Sequence, residues 1–180
     1  MRFSVNEIPP QPWKNGCGTT RELVLKQRQG CMAWRISLAE IIRDGAFSAF
    51  PGLLRIHCIT SGAGLLLSNS DLQLAARPLQ PLHFDGGLAL RARLNTGACQ
   101  AFNVIYDPKL SSATMRVLEG GGSIGGAGER VLYVLAGQLK VQTAAGVEAL
   151  VAGEGLFTET GLTGQVPEGA HVIEVCFESR

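Results

Sequence analysis

The stretch YVLAGQLKV, residues 133–141, followed after a turn by LVAGEGLF, residues 150–157, decides the fold. Leu139 and Val141 alternate with polar neighbours, which is the two-residue period of a half-buried β-strand. Glycines such as Gly137 separate the apolar runs, and glycine tolerates the backbone angles of tight turns. These runs predict antiparallel hairpins that belong to a barrel or a sandwich.

Similar half-polar strands are predicted in WRISLAE, residues 34–40, in LLRIHCIT, residues 53–60, and in LALRARL, residues 88–94. Helical periodicity is limited to a short region at 38–43. We therefore predict an all-β protein with two domains, at 1–106 and 107–180, and leave open an exchange of strands across the boundary.

Length and composition predict a globular, cytoplasmic protein. The chain has 180 residues, of which 46% are hydrophobic and 17% are charged. No apolar run approaches the roughly 20 residues that cross a bilayer, and no secretion signal precedes the first strands, so no membrane association is expected. The five cysteines lack CxxC spacing, which argues against both a disulfide framework and a zinc knuckle.

The formal net charge of +1 hides an asymmetry between the two halves of the chain. Lys and Arg exceed Asp and Glu by eleven to six through residue 106, whereas acidic residues exceed basic ones by nine to five after it. The basic residues are dispersed, so no nucleic-acid partner is predicted. Either a local anion site or electrostatic attraction between the halves would account for the asymmetry.

No metal and no cofactor are predicted. The three histidines, His57, His83 and His171, lie too far apart in sequence for a metal-ligand motif. The glycine-rich segment EGGGSIGGAGER, residues 119–130, lacks the Lys-Ser/Thr ending of a phosphate-binding loop, so we interpret it as a loop between strands.

The segment PWKNGCGTTRE, residues 12–22, concentrates polar side chains beside glycines. Lys14 and Arg21 could hold a carboxylate, Asn15 could donate and accept hydrogen bonds, and Trp13 could cover a planar part of a ligand. Alternatively the segment is a structural turn in which Trp13 closes a barrel end and Arg21 pairs with a nearby glutamate. Residue chemistry alone leaves both interpretations open.

The sequence resembles two groups of proteins. The rhythm of the second half is similar to that of the cupin superfamily. Four stretches resemble, in order, motifs of the HutD/Ves family of bacterial bicupins. They are PWKNGCGTTREL at 12–23, the segment at 34–55, LHFDG at 82–86 and FNV at 102–104. Cys17 stands where the family has a glycine, which raises the question of backbone freedom in that loop.

The resemblance implies a metal-free bicupin, made of two cupin-like antiparallel barrels or sandwiches, whose first half holds the pocket. It further implies a regulatory role in histidine utilisation or stress response, with a pathway intermediate such as urocanate or a formylated or formimino glutamate as the ligand. The ligand-binding candidates carried over by motif are Trp13, Lys14, Asn15, Thr19, Arg21, Glu22, Arg35, Ser37, Glu40, Arg55 and Asn103.

Three functions follow from these expectations. The favoured one is binding of a small polar or anionic metabolite, with a carboxylate as the expected partner. The second is a metal-independent isomerase or lyase for a small carboxylic acid, with Glu22 or Glu40 as base and Lys14 or Arg35 at an oxyanion. The third is a protein-interaction module. The number of subunits, including a homodimer, is left open.

Overall fold

The computed structural model describes residues 1–180 and consists of strands with one short 3-10 helix. The first eleven strands are β1 (Arg2–Ser4), β2 (Gln11–Pro12), β3 (Gly18–Arg28), β4 (Cys31–Ile41), β5 (Gly45–Phe47), β6 (Leu54–Ser61), β7 (Leu65–Ser68), β8 (Gln73–Ala76), β9 (Leu82–Asp85), β10 (Leu90–Leu94) and β11 (Cys99–Tyr106). The remaining strands are β12 (Ser111–Leu118), β13 (Ser123–Gly126), β14 (Glu129–Ala136), β15 (Gln138–Thr143), β16 (Gly146–Val151), β17 (Glu154–Thr158), β18 (Leu162–Gln165) and β19 (His171–Ser179). The 3-10 helix covers Val5–Glu7.

The all-β prediction is confirmed, and the short region at 38–43 is not helical, because β4 continues through Ile41. The chain divides into two compact units, one of residues 8–111 and one of residues 1–7 with 112–180. The sequence-based boundary at 106/107 lies close to the division at 111/112, and the first seven residues belong to the second unit. No helix in the structure has the length and apolar character needed to cross a membrane.

The N-terminal unit, residues 8–111, contains a six-stranded sheet in the order β2-β3-β4-β11-β6-β9 and a four-stranded sheet in the order β5-β10-β7-β8. All strand pairs are antiparallel. Ile41 and Ile59 from the larger sheet join Leu65, Leu67 and Leu90 from the smaller one in a shared core. The two sheets therefore enclose one interior, as alternating apolar residues require.

The C-terminal unit, residues 1–7 and 112–180, pairs a five-stranded sheet, β1-β17-β14-β19-β12, with a four-stranded sheet, β13-β18-β15-β16. Leu132 and Val134 on β14 and Leu139 and Val141 on β15 are fully buried in its core. Gly137 joins β14 to β15 with a φ of 75°, a backbone angle that side chains with a Cβ rarely adopt. The quoted stretch thus forms strands of two different sheets, so a hairpin at Gly137 is a wrong prediction and this glycine turns the chain from one sheet to the other. The hairpin of this region lies one strand later, where β15 and β16 pair antiparallel.

Candidate ligand-binding site

A cavity of about 270 Å³ opens in the N-terminal unit. Its walls are formed by Gln11, Pro12, Trp13, Thr20, Glu22, Arg35, Ser37, Ala39, Phe47, Ser48, Phe50, Arg55, Asn103 and Ile105. The floor is buried and includes Ser37 and Asn103, which are 3% and 2% exposed. The rim includes solvent-exposed Gln11, Glu22 and Ser48. The cavity therefore has a buried floor with polar side chains and a rim that is open to solvent.

Strand register explains why polar residues from distant parts of the sequence meet on the floor. Ser37 on β4 and His57 on β6 are both paired with Asn103 on the intervening β11. Two residues further along β11, Ile105 is paired with Arg35 on β4 and with Arg55 on β6. Because residues two apart point to the same side of a sheet, both rows face the interior of the unit.

Arg55 is a buried cation without a counterion. Only 7% of it is exposed, and no carboxylate forms an ion pair with it. Its Nη1 donates to the Ser48 carbonyl at 3.2 Å and its Nη2 donates to Asn103 Oδ1 at 2.9 Å, while Nε has no partner. Its Cζ lies 4.1 Å from the centroid of the Phe47 ring and 5.7 Å from that of Phe84. Ring faces stabilise the charge only partly, so an anion in the cavity would complete the site.

His57 and Asn103 form a buried hydrogen-bonded pair beneath Arg55. His57 Nδ1 lies 2.7 Å from Asn103 Oδ1, and because that oxygen only accepts, Nδ1 carries the proton and donates. Asn103 Nδ2 donates to the Ala101 carbonyl at 3.2 Å, which orients the amide with its oxygen toward the arginine. Burial, and then the charge of Arg55, lower the pKa of His57 to about 3 although the Asn103 bond raises it. His57 is therefore neutral at pH 7, and its Nε2 has no partner.

Arg35 is a second cation in the same cavity, and it is held much more loosely. Its side chain is 27% exposed and makes no hydrogen bond. Its Nη1 lies 3.8 Å from Glu22 Oε2, and its Cζ lies 5.4 Å from the centroid of the Phe50 ring. Burial of Arg55, and then the charge of Arg35, lower the pKa of Arg55 to about 9, which still leaves Arg55 charged at pH 7. With one carboxylate, Glu22, the cavity has a net positive charge.

The segment between β2 and β3 is a tight turn that places one side chain on the cavity wall. The amide of Trp13 donates to the carbonyl of Gly18 at 2.9 Å, and the amide of Gly16 donates to the carbonyl of Trp13 at 3.0 Å. The indole Nε1 of Trp13 donates to Thr20 Oγ1 at 2.7 Å, which fixes the ring against the wall. The segment is thus a structural turn, and it also places one of the predicted binding residues, Trp13, on the cavity wall.

Cys17, the departure from the family motif, causes no backbone conflict. The residue of this turn with positive φ is Gly16, at 67°, and Cys17 is outside that region. The Cys17 thiol lies 3.5 Å from the Asp44 carbonyl oxygen, close to Gly45, and does not line the cavity. The Asn15 side chain spans the turn, accepting from the Cys17 amide at 3.0 Å. Glycine is therefore not required at position 17 by the backbone, and Cys17 does not narrow the cavity.

The structure brings together six of the eleven candidate residues on the cavity wall, namely Trp13, Glu22, Arg35, Ser37, Arg55 and Asn103. The other five lie elsewhere. Lys14 and Asn15 are exposed in the turn. Thr19 and Arg21 alternate with the cavity residues of β3, and Glu40 is paired with Thr19, so these three lie on the opposite face of the sheet. There Arg21 Nε donates to the Ile8 carbonyl at 2.9 Å.

Several cavity residues were missed by sequence reasoning. Thr20 was passed over in favour of Thr19 and Arg21, although alternation with Glu22 could have indicated it. Phe50 is not among the sequence-based candidates, yet its ring lies close to the guanidinium groups of both arginines. His57 does not line the cavity but supports its floor through Asn103, and no local pattern reveals this bond because the two residues are 46 positions apart in sequence.

The C-terminal unit also buries a charged group, but this one is compensated. Glu174 on β19 is 0% exposed, its Oε1 accepts from Arg130 Nη1 at 2.8 Å, and its Oε2 accepts from Arg116. The Arg130 Nε also donates to the Gly126 carbonyl at 3.1 Å, so the same arginine contacts the backbone of the glycine-rich segment 119–130. The interpretation of that segment as a loop is wrong for Ser123–Gly126, which form β13 and pair with β18, while no helix follows the segment.

No three His, Cys, Asp or Glu side chains lie close enough together to form a metal-ligand cluster, and all five cysteines are free thiols. Chemically, the cavity presents two guanidinium groups, one carboxylate and several aromatic faces. This combination suits a small anion with an apolar or planar portion.

Two units, each with paired antiparallel sheets around one core, define the class of protein. A cupin 2 conserved barrel domain protein from Leptotrichia buccalis superposes with a TM-score of 0.66 at 10% identity, covering 99% of this chain and 96% of that one. The molecule therefore has a bicupin fold.

The HutD family model matches residues 5–173, and the chain belongs to the HutD family. An uncharacterized 21.2 kDa protein in the hutC 3′ region of Pseudomonas putida is 33% identical over 117 residues, which are 63% of this chain and 62% of the relative. Protein Ves of Escherichia fergusonii is 29% identical over 138 residues, 75% of this chain and 72% of the relative. HutD from Pseudomonas fluorescens SBW25, in a formate condition, superposes with a TM-score of 0.86 at 27% identity, covering 100% and 98% of the two chains.

Proposed function

We propose that this protein binds a small carboxylate metabolite in the cavity of its N-terminal unit, and that binding serves a regulatory role in histidine utilisation. The observation that carries the proposal is Arg55, a buried guanidinium that faces a cavity and has no counterion. A buried charge without a partner costs free energy, so it is retained where a ligand of opposite charge compensates it.

The surroundings of Arg55 favour a carboxylate of small size. The cavity volume of about 270 Å³ lies just below the range of roughly 300–1,000 Å³ that is usual for small-molecule sites. A guanidinium pairs with a carboxylate through two parallel hydrogen bonds, and Phe50 and Trp13 offer aromatic faces for the rest of the ligand. The connection to histidine utilisation comes from the family and from the hutC-region relative.

Thermal unfolding with a panel of small acids tests the binding step. Urocanate, N-formylglutamate and acetate are compared with the matched uncharged amides, using Arg55→Met as the binding-deficient variant and exposed Arg93→Met as the matched control. Saturation at about 100 times Kd adds about 2.7 kcal/mol of stability, which raises Tm by several degrees. We expect that increase for at least one acid in the wild type and in Arg93→Met, and none in Arg55→Met. Equal responses of acids and amides would contradict the proposal.

The regulatory role is tested in cells. A Pseudomonas fluorescens strain that lacks its own HutD is complemented with this chain or with Arg55→Met, and growth on histidine is measured. We expect the wild-type chain alone to restore normal growth. If both chains restore growth equally, ligand binding at Arg55 is not needed for the cellular role.

A further inference from the structure

We infer that the C-terminal unit holds a second carboxylate site, equivalent in strand position to the region around Arg55, and that the side chain of Glu174 occupies it as a built-in ligand. This second site lies in the other unit, so its existence does not depend on whether a metabolite binds at Arg55. Strand order, register and hydrogen bonds within each unit point to it.

The two units contain the same run of four strands. In the N-terminal unit the order is β4-β11-β6-β9, and in the C-terminal unit it is β12-β19-β14-β17. The pair of β11 with β6 and the pair of β6 with β9 are antiparallel. The pair of β19 with β14 and the pair of β14 with β17 are antiparallel too. Strand β14 is therefore the equivalent of β6, and β19 is the equivalent of β11.

Arginines hold the same place on β6 and β14. Arg55 is the second residue of the eight-residue strand β6, and Arg130 is the second residue of the eight-residue strand β14. Asn103 on β11 is paired with the residue two positions after Arg55. Glu174 on β19 is paired with the residue two positions after Arg130. Asn103 and Glu174 therefore hold equivalent positions on equivalent strands.

In both units the arginine donates a hydrogen bond to the side chain at this equivalent position. Nη2 of Arg55 donates to Asn103 Oδ1 at 2.9 Å, and Nη1 of Arg130 donates to Glu174 Oε1 at 2.8 Å. The Asn103 amide is neutral and leaves the charge of Arg55 without a counterion, whereas Glu174 supplies a carboxylate. The C-terminal unit thus carries on its own chain the anion that the N-terminal unit lacks.

A second arginine completes the site around Glu174. Its Oε2 accepts from Arg116, whose side chain is 52% exposed, whereas the Arg130 side chain is 12% exposed. The Cys176 thiol lies 2.8 Å from Arg130 Nη1, but burial, and then the charge of Glu174, raise the pKa of this thiol, so it is neutral at pH 7. Glu174 therefore supplies the negative charge, and two guanidinium groups hold its two oxygens as they would hold a free acid.

Occupation by Glu174 closes this second site to ligands from solution. The Glu174 side chain has no exposed surface, and its departure would leave Arg130 largely buried without its partner. Two cupin units in one chain therefore provide one open arginine site, at Arg55, and one that the protein fills itself.

Truncation of Glu174 tests the inference, because alanine removes from the site the atoms of one acetate ion. The full chain also carries Arg55→Met, which disables the N-terminal cavity. Thermal unfolding of Glu174→Ala is followed by circular dichroism in sodium acetate, in sodium chloride of equal ionic strength, and in that chloride solution with acetamide. We expect acetate to raise Tm by several degrees, increasingly with concentration, and acetamide to leave it unchanged. If Glu174→Ala is unfolded in chloride, the expected result is recovery of the β-sheet signal in acetate alone.

Two variants in the same Arg55→Met background are the controls. Glu174→Leu removes the charge but fills the space, and Glu154→Ala removes a carboxylate that pairs with Arg2 at the surface. We expect neither to respond to acetate more than the Arg55→Met parent does. Equal effects of acetate and acetamide on Glu174→Ala, an equal acetate response in either control, or a Glu174→Ala chain that stays unfolded at every acetate concentration would overturn the inference. The proposed function would stand in each case, since the thermal panel with Arg55 intact tests it separately.

Discussion

At the residue scale, two buried charges in this protein differ in their compensation. Glu174 is fully buried and accepts hydrogen bonds from two arginines. Arg55 is nearly as buried but has only a carbonyl, an amide oxygen and aromatic rings around it. The first arrangement stabilises the charge from within the protein. The second leaves the charge without a counterion from the protein.

This difference predicts opposite effects of neutralising substitutions. Arg55→Met removes an uncompensated buried charge, so we expect the free energy of unfolding of the ligand-free protein not to fall, while acid binding is lost. Glu174→Leu leaves Arg130 without its buried partner, and we expect a loss of about 3–5 kcal/mol. Chemical denaturation followed by circular dichroism measures both. A large loss in Arg55→Met would mean that Arg55 is a structural residue.

His57 predicts a pH dependence of stability. Its pKa is lowered to about 3 in the folded state, by burial first, whereas its ordinary value is 6.5. Between these values the unfolded chain binds more protons, so the contribution of His57 is complete above pH 6.5 and is lost as pH falls toward 3, by up to about 1.4 kcal/mol per pH unit. In His57→Gln we expect a shallower decline in the free energy of unfolding between pH 6 and 4. Exposed His83→Gln is the control, and identical slopes in both variants would contradict the assignment.

At the scale of elements, the alternation of side chains between the two faces of β3 decides which residues reach the cavity. Thr20 and Glu22 line it, whereas Thr19 lies on the other face. The register of β3 against β4 shifts between Glu22 and Val24, so simple alternation ends at this bulge. The two neighbouring threonines therefore have opposite surroundings although their sequence context is nearly the same.

Valine substitutions at Thr19 and Thr20 test which face of β3 each side chain occupies. Thr20 Oγ1 accepts the Trp13 indole N–H at 2.7 Å, so Thr20→Val should cost about 1–3 kcal/mol and weaken acid binding. Thr19 Oγ1 is buried with no partner, so Thr19→Val should be neutral or stabilising and should leave binding unchanged. Denaturation and calorimetry on both variants distinguish the two positions, and equal effects would contradict the register.

The connection between β14 and β15, which lie in different sheets, depends on Gly137. Its φ is 75°, and a Cβ there would lie 2.9 Å from the Ala170 Cα. Gly153 has a similar φ of 84°, but a Cβ added there would have no neighbour within 4 Å, so this position isolates the effect of the backbone angle. We expect Gly153→Ala to cost about 1–2 kcal/mol and Gly137→Ala to cost more, because the overlap adds to the backbone strain. Equal losses by circular dichroism would show that Ala170 moves aside.

At the scale of the whole molecule, the C-terminal unit is assembled from both ends of the chain. Strand β1 pairs with β17, and the amino group of Met1 donates to the Phe157 carbonyl at 2.7 Å. Phe3 is 8% exposed and covers Gly155, where a Cβ would overlap its ring. The first residues are therefore part of the core of a unit whose other residues begin at 112.

Phe3→Ala tests this assembly. Loss of a buried phenylalanine side chain typically costs about 3–5 kcal/mol. We expect such a loss in unfolding followed by circular dichroism, while Val147→Ala, at a residue 67% exposed, should stay within about 0.5 kcal/mol of wild type. Both tryptophans lie in residues 8–111, so their fluorescence reports the N-terminal unit separately. A negligible loss in Phe3→Ala would show that β1 contributes little to the C-terminal unit.

The sequence by itself determined the all-β class, the hairpin of β15 and β16 in the second half, and the family. These features depend on local patterns, since alternation has a period of two residues and turns require glycine at particular backbone angles. The motifs shared with the family also contain the two arginines of the cavity, Arg35 and Arg55, and Asn103 between them. Residue types and their order were sufficient for these conclusions.

Only the tertiary structure decided which side chains meet. Arg35 and Arg55 become neighbours because β11, from much later in the chain, lies between their strands. The same pairing places His57 against Asn103, and the turn before β3 directs Lys14 away from the cavity that Trp13 lines. Strand order and register are set by the burial of whole faces across the unit, so no local stretch of sequence contains them.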